Sequence, residues 1–252
     1  MENKEIRLNR LFQKNNKRAV ITALDHGVTC GTIHGIENLE DILTIIAESS
    51  SDAVILHKGN IRRFAHLLPK NIGIIMHLSA SLNFSKYANT KVLVASVEEA
   101  VRFGVDAVSM HINLGHESDR EMLSDLGKVS QQCSYYGMPL LVMMYPDFTD
   151  VSEEEKIERI VHCIRLCEEM GVDIVKIPFM QNAGDMRKIT KYAHIPVVMA
   201  GGENHNNGGK VLEVVKGAIE NGLNGVSMGR NIFQSDDPAG YLEDLCNIVH
   251  NK

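Results

Sequence analysis

What most constrains this chain is a recurrence. Eight short runs of β-branched and other apolar residues are each followed by polar or glycine-rich residues and then by a helical pattern. The runs are AVITALD (19–25), DAVILH (52–57), IGIIMHL (72–78), DAVSMHI (106–112), PLLVMMY (139–145), DIVKI (173–177), PVVMA (196–200) and GVSMG (225–229). Runs this short and this continuously apolar fit parallel strands covered on both faces. Eight alternating units in 252 residues predict an α/β fold, a single (β/α)8 TIM barrel. The doubly wound open sheet is the alternative. The barrel is expected to occupy residues 1–252 as one domain, with 1–18 as an N-terminal lead-in. A ninth strand-like piece, KVLVAS (91–96), is placed in the loop after the third strand.

The segments between the runs carry helix punctuation. Ser96 with Glu99, and Ser152 with Glu155, read as capping boxes, and Gly104 and Gly171 as the matching stops. Ile157, Ile160, Val161 and Ile164 recur at helical spacing, as do Met122, Leu126, Val129 and Cys133 before Gly137. The phrase Gly-apolar-Asp/Asn-apolar returns as GVDAV, GVDIV and GLNGV, marking each time a helix that stops and a strand that starts. Its uneven spacing excludes a solenoid repeat.

A net charge of −6 gives no bulk attraction to nucleic acid or to an anionic membrane. No apolar run has the length of a membrane span, and the polar N-terminus lacks a signal-peptide core, so a cytoplasmic location is expected. Cys30, Cys133, Cys163, Cys167 and Cys246 have neither disulfide nor metal spacing and read as small buried residues. His57, His77, His111, His116 and His205 form no metal motif, so no metal is expected.

In a barrel of this kind the chemistry sits at the carboxyl ends of the strands. Those ends hold Asp25-His26-Gly27, His57-Lys58-Gly59, Tyr145, Lys176, Gly201-Gly202 and Gly229-Arg230. Lys176 shares parity with Ile174, and Val175 with Ile177, so one pair faces the barrel interior and the other the helices. A lysine against the helix layer would be buried without a partner, which is costly, so Lys176 points inward. Loss of hydration there lowers its pKa and frees a neutral amine that can attack a ketone. A structural ion pair with Asp25 is the other reading. Tyr145 is a candidate proton donor, and Asp25 a candidate proton acceptor or helix cap. Lys58 follows its strand instead of interrupting it, which places it nearer solvent as an anion ligand. Gly201, Gly202, Gly229 and Arg230 follow strands seven and eight, the usual phosphate position in such barrels, and RNIFQS is the candidate short helix there.

With those residues placed, the sequence resembles the archaeal-type class I aldolases related to deoxyribose-phosphate aldolase. Within them it looks most like the 2-amino-3,7-dideoxy-D-threo-hept-6-ulosonate synthases. The resemblance rests on LDHGV, LHKG, MHLSAS, KVLVASVEEAVRFGVDAVSMHINLG, GMPLLVMMYP, DIVKIP, VVMAGG and GVSMGRNIFQSDDP. It implies a Schiff-base role for Lys176, proton-transfer roles for Tyr145 and Asp25, and phosphate binding by Gly201, Gly202, Gly229 and Arg230, with His26 and Lys58 beside them. It implies no cofactor, a phosphorylated ketone or ketose and an aldehyde as substrates, and a homo-oligomer, in that family often a ring. Two departures stand out. Tyr145-Pro146 is followed by Asp147-Phe148 where relatives carry Arg-Gly, and Gly201-Gly202 by Glu203-Asn204 where a lysine is common, so a cation is missing at each place. A barrel isomerase using Asp25 and a histidine, and a non-catalytic sugar-phosphate sensor, are the readings from other classes.

Overall fold

The computed structural model describes residues 2–12, 17–202 and 208–251. The eight runs form a closed barrel of parallel strands in which sequence neighbours are spatial neighbours. The strands are β1 (Ala19–Ala23), β2 (Ala53–Leu56), β3 (Gly73–His77), β4 (Ala107–Leu114), β5 (Leu140–Pro146), β6 (Ile174–Ile177), β7 (Val197–Met199) and β8 (Gly225–Met228). Closure comes from β1, which pairs with β2 on one side and with β8 on the other, Ala19 opposite Gly225. An open sheet leaves two edges unpaired, so this pairing excludes it. KVLVAS supplies Val92–Leu93, which pairs antiparallel with Ser79–Ala80 in the loop after β3. This hairpin lies outside the barrel sheet.

The helix signals act nearly as read. Ser152 and Glu155 form both bonds of a capping box. At Ser96 only half forms: its hydroxyl accepts from the Glu99 N–H, while the Glu99 carboxylate reaches instead to Lys58, 3.2 Å away. Met122, Leu126, Val129 and Cys133 are buried on one face of the helix Asp119–Tyr136, and Gly137 ends it in the left-handed conformation. Of the cysteines, Cys30 departs from expectation. It is exposed at the end of the short helix His26–Cys30, while the other four are buried.

Two cores result from strand alternation. Ile21, Ile55, Ile75, Leu141, Met143 and Ile174 fill the barrel interior. Val20, Val54, Met76, Val108, Val175 and Ile177 face the helices. The lead-in is structured. The helix Glu2–Leu11 sends Leu11, fully buried, into the amino-terminal mouth, with Leu8 and Phe12 beside it. Small residues at the strand starts make the space: a Cβ on Gly73 would stand 2.6 Å from Leu11 Cδ2.

The recurring Asp/Asn has a specific task at this mouth. Carboxylate or amide oxygens of Asp52, Asp106, Asp173 and Asn224 accept from the backbone N–H of Val20, Ile74, Leu140 and Val197, at 2.7, 2.9, 2.8 and 3.0 Å. Each residue before an even-numbered strand thus satisfies a donor on the odd-numbered strand preceding it, which burial would otherwise leave unpaired. The acids also hold the terminal helices. Lys4 meets Asp173 at 2.8 Å, Arg10 meets Asp106 at 2.9 Å, and His250 meets Asp52 at 2.9 Å.

Candidate active site

Strand alternation sends Lys176 inward with Ile174, as parity requires, while Val175 and Ile177 join the core against the helices. Lys176 is 7% exposed and lines the cavity at the carboxyl-terminal mouth. It forms no ion pair or hydrogen bond with a described residue, so the structural ion pair with Asp25 is not formed. Burial pushes its ammonium below the ordinary lysine value. Asp25 pulls the other way, and the Arg230 charge adds to the lowering. That shift brings the neutral, nucleophilic amine closer to reach.

Tyr145 lines the same cavity one strand away. Burial, and then the nearby Asp25 charge, raise its phenol, so it stays protonated and able to donate. Asp25 follows β1 and does not cap the short helix after it. It is not among the residues lining the cavity, but lies 3.7 Å from His77 Nε2 and 3.9 Å from His26 Nδ1. Burial would raise its pKa. The surrounding His77, His26, Lys176 and His57 outweigh that and hold the carboxyl below the usual range.

The histidines show what spacing could not. His57 and His77 stand edge to face at 5.2 Å, His77 Nδ1 hydrogen-bonds Ser109 at 2.8 Å, and His111 stacks on Tyr145 at 4.8 Å. They come from three different strands, so no local motif marks them. Burial lowers His77 to about 4 and His111 to about 3, which keeps both neutral near pH 7. Among the described residues no group of three or more His, Cys, Asp or Glu is placed to hold a metal ion.

The predicted anion loops meet on the other side. Gly201 and Gly202 after β7, and Gly229 and Arg230 after β8, line a cavity of about 750 Å³ with His26 and Lys176. Backbone approach is close enough to need glycine. A Cβ on Gly201 would lie 1.8 Å from Asn231 Oδ1, and one on Gly229 2.4 Å from the Ala23 carbonyl oxygen. The helix after β8 is one short turn, Arg230–Phe233. Two polar atoms of lining residues, Ser227 Oγ and His26 Nδ1, are buried without a hydrogen-bond partner.

Lys58 does not join this group. It pairs with Glu99 and is not among the lining residues, because it begins a helix and its side chain turns toward the helix Val97–Phe103. Glu203, Asn204 and His205 lie outside the described residues. The cation missing after Gly202 returns from further along: Lys210, in the helix Gly208–Glu220, lines the cavity. Nothing in the sequence flagged it, because a lysine in a helix's first turn is ordinary. Asp147 is occupied locally, accepting at 3.0 Å from the N–H and at 2.7 Å from the hydroxyl of Thr149.

Residues 19–235 match the model of the DeoC/LacD family aldolases. The chain belongs to that family. The 2-amino-3,7-dideoxy-D-threo-hept-6-ulosonate synthase 1 of Archaeoglobus fulgidus is 38% identical over 250 residues, covering 99% of this chain and 92% of the relative. The 2-amino-4,5-dihydroxy-6-oxo-7-(phosphonooxy)heptanoate synthase of Streptomyces griseus is 35% identical over 251 residues, covering 98% and 90%. The crystal structure of an archaeal fructose 1,6-bisphosphate aldolase superposes with a TM-score of 0.88 at 26% identity, covering 99% of this chain and all of that one. Another, with its catalytic lysine covalently bound to the carbinolamine intermediate of the substrate, has a TM-score of 0.87 at 26% identity, covering 98% of this chain and 99% of that one. This DeoC/LacD aldolase is therefore an enzyme of the class I, Schiff-base-forming kind. That sets aside the isomerase and sensor readings. No helix among the described residues is long and apolar enough to cross a membrane.

Proposed function

We propose that the enzyme joins a ketone- or ketose-phosphate donor to an aldehyde through an iminium on Lys176, in the manner of heptulosonate synthesis with aspartate semialdehyde as acceptor. One observation carries this. Lys176 is a buried amine with no ion-pair partner among the described residues, in the wall of a cavity that Gly201, Gly202, Gly229 and Arg230 also line. The phosphate sits on those backbone N–H groups and on Arg230, with Lys210 beside it. Ser227 Oγ and His26 Nδ1 have free capacity for a donor oxygen.

The Lys176 lone pair adds to the donor carbonyl, and loss of water gives the iminium. The neighbouring carbon–carbon bond of a ketose breaks, its electron pair passing to the enamine while the leaving fragment's hydroxyl gives its proton to water and becomes an aldehyde. The enamine carbon then bonds to the acceptor aldehyde, whose oxygen takes a proton from the Tyr145 phenol. Asp25 keeps a negative charge near the iminium, and water returns to free the ketone product.

The name of the Streptomyces relative carries a 6-oxo group beside a 7-phosphonooxy group and a heptanoate carboxylate at the far end. A ketone next to a phosphorylated carbon is the product pattern proposed here. Fructose-bisphosphate cleavage is the alternative, favoured by the likeness to the archaeal aldolase. It needs a site for a second phosphate, and Asp147 and Phe148 stand where an arginine would serve. The same reading has residues 1–252 working as one unit, as a cytoplasmic homo-oligomer. Exposed Phe84 and Tyr135 are apolar surface for such contacts, and light scattering would read the assembly size.

Borohydride reduction with dihydroxyacetone phosphate and related ketone phosphates tests the chemistry. Intact mass should gain the reduced adduct in the wild type and not in Lys176→Ala. An aldehyde screen then reads the acceptor. An adduct that persists in Lys176→Ala overturns the assignment.

A further inference from the structure

The carboxyl-terminal mouth has a second cationic pole that the donor chemistry leaves unused. In the closed barrel β3 and β4 lie opposite β7 and β8. The hairpin after β3 carries Lys91 and is fastened to the end of β4. The Ser79 hydroxyl accepts from the His111 N–H at 2.9 Å, and Asn113 Nδ2 donates to the Asn89 carbonyl at 2.8 Å. Lys91 Nζ donates to Ser81 Oγ at 2.6 Å, and the Ser81 hydroxyl donates in turn to the Ala88 carbonyl at 2.8 Å. Lys91 is half-buried and forms no ion pair with a described residue. A cation half withdrawn from water, with a neutral hydroxyl as its hydrogen-bond partner and no carboxylate in ion-pair contact among the described residues, has capacity for an anion. Burial lowers its pKa, opposed by Asp25, so its field reaches the catalytic carboxylate. The same field acts on His111, whose ring stacks on Tyr145 and whose Nε2 meets Asn113 Oδ1 at 2.8 Å.

We propose that Lys91 anchors an acceptor subsite, beside His111 and Asn113, that selects aldehydes carrying a carboxylate. This rests on the proposed function and deepens it. With the donor phosphate at β7–β8 and the new bond forming next to Lys176, the far end of the acceptor points toward β3–β4. A carboxylate suits one lysine with neutral neighbours. A phosphate dianion is better served by the glycine backbone and two cations already present on the other side.

The test compares a four-carbon aldehyde acid, its methyl ester and glyceraldehyde 3-phosphate, on the wild type, Lys91→Met and Lys91→Arg. Rates and calorimetric aldehyde binding are both read. The wild type should prefer the acid. In Lys91→Met that preference should fall about 10- to 100-fold, the range of one charge-assisted hydrogen bond, mainly through the aldehyde KM, and Lys91→Arg should restore part of it. An unchanged preference, an equal loss for acid and ester, or a wild type favouring the phosphorylated aldehyde overturns the inference. Borohydride trapping separates the two ideas. Without an adduct on Lys176 the proposed chemistry fails, while loss of acid binding in Lys91→Met would still support the subsite.

Discussion

The two mouths of this barrel are built from the same strands and treat polar groups in opposite ways. At the amino-terminal mouth polar groups are paired. Asp52, Asp106, Asp173 and Asn224 take strand N–H groups, the acids also hold cations of the terminal helices, and Leu11 fills the space. At the carboxyl-terminal mouth, among the described residues, Lys176 has no ion-pair partner, and Ser227 Oγ and His26 Nδ1 have no hydrogen bond. A buried polar group that is satisfied contributes to stability. One left unsatisfied costs stability and keeps its bonding capacity for a substrate. Charge alone therefore does not mark an active end, since both mouths are rich in it. Lack of a partner in the wall of a cavity does.

The sharpest way to break this contrast is at Lys176. Lys176→Met should lower turnover on the order of 10³-fold or more and abolish the borohydride adduct. The melting temperature should hold or rise, because an apolar side chain replaces a buried amine. Tyr145→Phe should cost about 10²- to 10⁴-fold in kcat, again without loss of stability, as steady-state kinetics and a thermal melt would read. The opposite mouth should show the opposite split. Leu11→Ala should cost about 2–5 kcal/mol in urea unfolding and leave KM within error. Asp106→Ala should cost about 1–3 kcal/mol, since it strips a partner from both the Ile74 N–H and Arg10.

The smallest effect is a pH signature confined to the active mouth. His77 and His111 bind protons less readily folded, at about 4 and about 3, than unfolded, at about 6.5. Between those values the unfolded chain holds more protons, so stability falls as pH falls from about 6.5 toward 3. Unfolding free energies at pH 7 and pH 5 should differ less in His111→Phe than in the wild type.

Much of this was legible in the chain because the information is local. Strand alternation fixed the direction of Lys176 once DIVKI was read as a strand, since inward and outward alternate residue by residue. The GVDAV and GVDIV phrases located strand starts, although pairing of their carboxylates across to the preceding odd-numbered strand was invisible without the register. Glu99 shows the limit of a local rule. The capping box was half right because a tertiary neighbour, Lys58, competed for the carboxylate. Lys58, near solvent as read, turns to Glu99 and away from the cavity for the same reason. The polar lead-in gave little sign that Leu8, Leu11 and Phe12 plug a barrel, because three apolar residues on one helical face mean little until a hole of matching size exists.

By itself, then, the sequence determined the barrel, the strand ends that carry chemistry and the inward lysine, because backbone alternation and helix punctuation act over a few residues. Only the tertiary structure decided which polar groups found partners. It gathered His57 and His77 near Asp25, stacked His111 on Tyr145, turned Lys58 away, brought Lys210 to the cavity and left Lys91 bonded to a neutral hydroxyl. Pairing is a matter of distances between residues far apart in the chain, and barrel closure sets those distances.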